Sequence, residues 1–106
     1  MKPYDIHIAL VEWDMGGKRR PVLILGADET NAIVFQITTQ YKSKSDTIRE
    51  KYFIISDWKQ AGLHAKSYVD TNSPISVPFQ SIESVPIGKL TEKDVKNLRE
   101  FLLRNS

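Results

Sequence analysis

The side chains best suited to chemistry gather in one stretch, Gly16-Gly17-Lys18-Arg19-Arg20-Pro21-Val22-Leu23-Ile24-Leu25. A double glycine leads into consecutive cations, and a proline and a branched apolar run follow. The apolar run anchors a strand, which holds Arg20 at its entrance and leaves it less free than a surface arginine. The residue before a proline is pushed to extended geometry. A guanidinium there presents a fixed fork of donors to a phosphate or a carboxylate. Three uses of Arg20 stay open at this point: chemistry, phosphate binding, or a pair with Glu12 or Asp14. Thr38 carries a hydroxyl near a strand end, and equally reads as strand filler, since threonine is common in sheets. Asp70 reads as a candidate base or as a turn aspartate before Asn72-Ser73-Pro74. Tyr68 shares its strand parity. His7 and His64 lie far apart and lack metal-ligand spacing. The chain has no cysteine, which excludes disulfides and thiolate metal sites.

The elements that must position these groups are mostly strands. Asp5 to Trp13 (DIHIALVEW) is rich in β-formers and reads as a strand buried on much of both faces. Asp14-Met15-Gly16-Gly17 is turn chemistry. Pro21 has no N–H for a ladder and suits the first position of a second strand, which runs to Gly26. Ala27 to Asn31 is a connection, and Ala32 to Thr39 is the third strand. Gln40 to Thr47 (QYKSKSDT) is polar and reads as a mobile surface loop. Lys51 to Ile55 forms a fourth strand. Ser56-Asp57 offers an N-cap for about one helical turn, Trp58 to Gly62. Ser67 to Thr71 is a short strand, Asn72-Ser73-Pro74 breaks it, and Ile75 to Val77 resumes. Trp13 and Trp58 read as core or dimer contacts.

The C-terminus is the clearest element. Thr91 is an N-cap, and Asp94 completes a capping box. Val95, Leu98, Leu102 and, one step round, Phe101 make one apolar stripe. The spacing predicts a helix from about Glu92 to Arg104 packed on the sheet. The fold class is therefore α+β and β-rich.

With 106 residues we expect one domain over 1–106. Hydrophobic content of 41% and charged content of 26% are ordinary for a globular chain. A formal net charge of +2 is too mild to demand a nucleic-acid partner by itself. The first residues lack the apolar core of a signal peptide, and no run approaches the roughly 20 apolar residues of a membrane span. We expect a cytoplasmic protein.

The order of segments is similar to one family. An Asp-Ile-x strand ends in an aromatic, a Gly-containing loop leads to Arg-Pro-Val-Leu-Ile-Leu, and a later strand ends Ile-Thr-Thr. Ser-Tyr-Val-Asp-Thr and Ile-Gly-Lys-Leu-Thr-Glu-Lys-Asp then precede the last helix. Over nearly its whole length the chain resembles the MazF/PemK toxins of bacterial toxin–antitoxin pairs. The resemblance implies a small SH3-like barrel with short helices and a C-terminal helix, and a homodimer. It also implies an endoribonuclease acting on single-stranded RNA without metal or other cofactor, and a cognate antitoxin that covers the RNA groove. The family's catalytic arginine falls on Arg20, its catalytic threonine on Thr38, and an acid used by some members on Asp70. Lys18, Arg19, Thr39, Lys42, Lys44 and Tyr68 are then the RNA-binding candidates, the cations guiding phosphate and Tyr68 stacking on a base. Two departures stand out. The family's loop between the first two strands is usually longer and shapes RNA recognition. Ser73-Pro74-Ile75 occupies a place where many members have Ile-Arg-Thr. An alternative on the same fold is a non-catalytic toxin or binding module, either a gyrase poison or an RNA binder.

Overall fold

The computed structural model describes residues 1–105. Its strands form one antiparallel sheet. They are β1 (Asp5–Trp13), β2 (Gly16–Ala27), β3 (Asn31–Thr38), β4 (Tyr52–Ile54), β5 (Tyr68–Pro78) and β6 (Gly88–Lys89), in the spatial order β4-β5-β3-β2-β1-β6. Two helices accompany them, α1 (Asp46–Arg49) and α2 (Glu92–Arg104), with a 3-10 turn at Phe79–Ser81. A bridge between Ala9 and Ile82 draws the segment after β5 back onto β1, so the sheet curls toward a barrel. The β-rich α+β class and the C-terminal helix agree with the sequence reading.

Alternation along the strands sorts side chains to two faces. One face carries Ile6, Leu23, Phe35, Ile37, Phe53 and Val69, packed with Leu98 of α2. The apolar stripe of α2 joins this cluster through Val95, Phe101 and Leu102, with Phe101 edge-on to Phe53 at 5.6 Å. The other face carries Ala9, Val11, Val22, Ile24, Ala32, Val34, Val77 and Ile82. The candidate residues extend that second face.

The stretch that reads as a flexible loop is strand. Gly16 and Gly17 pair with Trp13 and Glu12, and Lys18, Arg19 and Arg20 pair with Val11, Leu10 and Ala9. The turn shrinks to Asp14-Met15. Glycine has little strand propensity alone. Here the ladder with β1 supplies its hydrogen bonds, and the Trp13 ring lies across Gly16 at van der Waals distance, covering the missing side chain. Pro21 therefore sits mid-strand. It lies just before the first β2–β3 pair, Val22 with Gln36, so its missing N–H interrupts no ladder bond on that side. Trp13 is half exposed at the hairpin end and is not a core residue of this chain.

Three further expectations change. The polar segment after Thr39 is partly ordered as α1, capped by the Ser45 hydroxyl, which accepts the Ile48 N–H. Trp58 to Gly62 forms a turn with one helix-type bond, Ala61 N–H to Asp57 O at 3.0 Å. Tyr68–Thr71 and Ile75–Val77 belong to one strand, β5, which leaves Ser67 outside it, with the register slipping between Val34–Ile75 and Gln36–Asp70.

Thr91 caps α2 as expected, its hydroxyl oxygen accepting the Asp94 N–H at 3.3 Å. The reciprocal half of the box does not form. The Asp94 carboxylate, fully buried, accepts the backbone N–H groups of Ser56 at 3.2 Å and Asp57 at 2.8 Å. It thereby ties the helix start to the preceding turn, a long-range partnership that local spacing does not reveal.

His7 is buried on the second face, and its Nδ1–H donates to the Glu83 carbonyl at 2.7 Å. Its Nε2 has no hydrogen-bond partner among the described residues. Burial holds its pKa below the ordinary 6.5, with Asp5 opposing and the N-terminal charge adding. The unfolded chain therefore takes up the proton first as pH falls. His7 leaves stability intact above about pH 6.5 and lowers it from there down to its folded pKa, below which the loss is constant. Urea midpoints measured between about pH 7.5 and 5.5 should fall for the wild type, and His7→Phe should remove part of that slope. Parallel slopes would contradict the assignment.

Candidate functional site

Register places the candidate residues. Val22 pairs with Gln36, Gln36 with Asp70, and Asp70 with Tyr52. One row thus crosses four strands on the face away from α2. Thr38 pairs with Tyr68, and Tyr68 with Ile54, one level along. Arg20 precedes Val22 by two residues and pairs on its other side with Ala9 of the second core cluster. Arg20 and Thr38 therefore share a face and a level.

Both line a hollow of about 250 Å³ together with Lys18, Thr39, Gln40 and Lys44. No acidic side chain lines it among the described residues. Arg20 is half-buried and joins no ion pair there, so the pair with Glu12 or Asp14 does not form. Its Nε is buried without a hydrogen-bond partner. Buried polar groups are nearly always satisfied, so the orphaned Nε–H marks a guanidinium with no fixed protein partner among the described residues. On its far side Arg20 also borders a hollow of about 540 Å³ that includes Gln36, Glu12 and Trp13.

Thr38 ends β3 with its hydroxyl oxygen accepting the Gln40 N–H at 3.0 Å. That bond fixes the oxygen and leaves the O–H proton free to donate. Thr39 has the opposite parity and is exposed. Asp70 lies on the same face, one level away from Thr38. Its Oδ1 accepts both the backbone N–H and the side-chain Nδ2 of Asn72, at 2.9 and 2.8 Å. Asp70 thus holds the Asn72 side chain locally but lies within β5 and precedes no turn, and it does not line the Arg20–Thr38 hollow. Beside it, Tyr52 is buried. Burial raises its pKa above 10.0, Asp70 raises it further, and Arg20 acts the other way. Tyr52 is therefore a neutral phenol at physiological pH.

The cations divide. Lys18 and Lys44 line the hollow, and neither joins an ion pair among the described residues. Arg19 also borders it, but its guanidinium is paired with Glu83 and its parity is opposite to that of Arg20. Lys42 lines an adjoining groove with Tyr68. Sequence reasoning missed Gln36, Gln40, Tyr41, Tyr52 and Lys66. Gln36 was accessible, as a polar residue in a buried strand with the parity of Thr38. Tyr41 and Lys66 were not, because their placement depends on how two loops fold back. Among the described residues, no group of three or more His, Asp or Glu side chains could hold a metal ion.

A family model described as PemK-like, MazF-like toxin of type II toxin-antitoxin system matches residues 2–105. A search of curated proteins returned no match.

Proposed function

The chain belongs to the PemK-like, MazF-like toxins of type II toxin–antitoxin systems, and from that membership we propose a metal-independent endoribonuclease that cuts single-stranded RNA. The reaction is attack of a 2′-hydroxyl oxygen on the adjacent phosphorus. The new P–O2′ bond forms as the P–O5′ bond breaks. One group takes the 2′ proton, another protonates the 5′ oxygen, and donors stabilise the charge on the phosphoryl oxygens. The observation that carries the reading is the unpaired, half-buried Arg20 beside Thr38 in a cationic hollow. In it Arg20 holds the phosphoryl oxygens, and the Thr38 O–H donates to one of them or orients the 2′-hydroxyl. Asp70, through the carboxylate oxygen not used by Asn72, is the proposed base. Lys18 and Lys44 attract the backbone, and Thr39 and Lys42 line its path. Arg19 joins that path only by leaving Glu83.

We place the chain in the cytoplasm, as one domain over residues 1–106 that forms a homodimer and is held inactive by its antitoxin. No described helix is long and apolar enough to cross a membrane. A second reading, a non-catalytic toxin that poisons a protein target, draws on two observations. The β1–β2 turn is only Asp14-Met15, and Oδ1 of Asp70 is committed to Asn72. Brief expression in a bacterial host separates the two. Growth arrest with newly cut RNA supports the ribonuclease; arrest with blocked DNA replication and intact RNA selects the poison.

A further inference from the structure

The sheet ends at β4, which has β5 on one side and no strand on the other. The ladder shows which of its backbone groups face outward. The Lys51 carbonyl accepts the Thr71 N–H at 2.9 Å, and the Ile55 N–H donates to the Ser67 carbonyl at 3.0 Å. Phe53, between them, has the same parity and faces β5, so Tyr52 and Ile54 turn their N–H and C=O groups away from the sheet. Among the described residues no backbone hydrogen bond takes these groups up. β4 is short, but it carries no charge or proline of the kind that blunts an edge, and Ile54 is 43% exposed. A tyrosine-walled groove of about 480 Å³ lies along this edge. Phe101, Glu100 and Arg104 of α2 wall it on one side, and Tyr41, Tyr68 and Lys66 wall it on the other. Both walls are fixed. Phe101 packs edge-on to Phe53, and the Lys51 Nζ donates to the Asn105 carbonyl at 2.8 Å. Opposite, the Tyr41 and Tyr68 rings stack at 4.4 Å and 8°, Tyr52 braces both at 6.3 and 6.4 Å, and the Arg49 guanidinium lies 5.5 Å from the Tyr41 ring centre.

We propose that this edge takes an extended segment of a partner protein as an added strand, and that the segment alternates apolar and acidic side chains. Unpaired N–H and C=O groups at strand spacing match another peptide backbone, and pockets beside them read alternate side chains. In an added strand successive side chains point to opposite walls. One row meets Ile54 and the tyrosine rings, and the other meets Phe101, so apolar side chains suit both. Lys66 and Arg104 stand on opposite walls and join no ion pair among the described residues. They outnumber the one acid, Glu100, so acidic side chains on the segment complement the groove. The walls also decide against a second copy of this chain. Its β4 is flanked by the same α2 and Tyr41 segments, and these would meet their counterparts before the two edges could pair. The groove shares no lining residue with the Arg20–Thr38 hollow, so the inference goes beyond the ribonuclease reading and does not depend on it.

The test selects short random peptides, displayed on phage, against the wild-type protein, and the tightest binder is synthesised. The selected sequences should alternate apolar and acidic residues. The bound peptide should slow exchange of the Tyr52 and Ile54 amide protons, followed by NMR, at least about 10-fold. N-methylation of alternate peptide amides should abolish binding, and N-methylation of those between should leave it intact, because only one parity faces β4. Lys66→Glu combined with Arg104→Glu should weaken binding at least about 10-fold; both side chains are exposed, so the fold is kept. Failure to enrich such peptides, or a bound peptide that leaves the Tyr52 and Ile54 amides exchanging freely, would overturn the site. Amides already protected in the free protein, and released on dilution, would give the edge to a second copy. Equal protection by an uncleavable 2′-O-methyl RNA would give it to nucleic acid. Either result also overturns the proposal.

Discussion

Arg20→Ala is expected to lower the rate of RNA cleavage by at least about 100-fold, the effect of removing one preorganised donor from a developing oxyanion. The loss should fall on kcat more than on KM, because Lys18 and Lys44 remain to attract the backbone. Folding should survive. Among the described residues Arg20 makes no ion pair and its Nε is already unsatisfied, and its strand is anchored by Val22, Leu23 and Ile24, all buried. Arg20→Lys should rescue little, since an ammonium lacks the planar fork that spans two phosphoryl oxygens. Initial rates on a fluorogenic single-stranded RNA, with circular dichroism to verify folding, check this. A folded Arg20→Ala protein with wild-type kcat removes Arg20 from the chemistry.

Gly62→Ala is expected to be the most damaging conservative change. Gly62 has φ +90°, a region that costs a side-chain-bearing residue about 1–3 kcal/mol. A Cβ there would also run into the Ile87 carbonyl, and a Cβ on Gly88 would meet the Ala61 carbonyl. Two backbone segments therefore touch directly at this point. Next to it Gly88 pairs with Ile6, so the contact lies under the sheet edge. Overpacking adds about 1–3 kcal/mol, for a total of about 2–6 kcal/mol. Against a typical stability of about 5–15 kcal/mol, much of the folded state's margin would go. Equilibrium urea unfolding measures it, and a change under about 1 kcal/mol would contradict the argument.

The sequence carried the strands, the terminal helix and the two residues that meet in the hollow. β1 and α2 were legible because their apolar periodicity is strong and uninterrupted, and the cap at Thr91 is local chemistry. Arg20 and Thr38 were legible as candidates through the resemblance, and their shared face followed only from register. Lys18 to Arg20 looked like loop because glycine and proline are read locally. Their strand state is imposed by pairing with β1 and by Trp13 over Gly16. Asp94 looked like a capping-box partner because the rule looks three residues back, whereas its partners are Ser56 and Asp57, far along the chain. The same limit hid the tyrosine groove. Tyr41, Tyr52 and Tyr68 come from a loop and two strands, and no spacing in the sequence brings their rings together.

The proposed ribonuclease needs Arg20 and no metal. The direct measurement incubates the purified protein with single-stranded RNA of varied sequence in excess EDTA and maps the ends. The cuts should leave a 5′-hydroxyl on one fragment and a cyclic phosphate on the other, and should disappear with Arg20→Ala. Intact RNA from a folded wild-type protein across the whole panel, or equal cutting by Arg20→Ala, would contradict it.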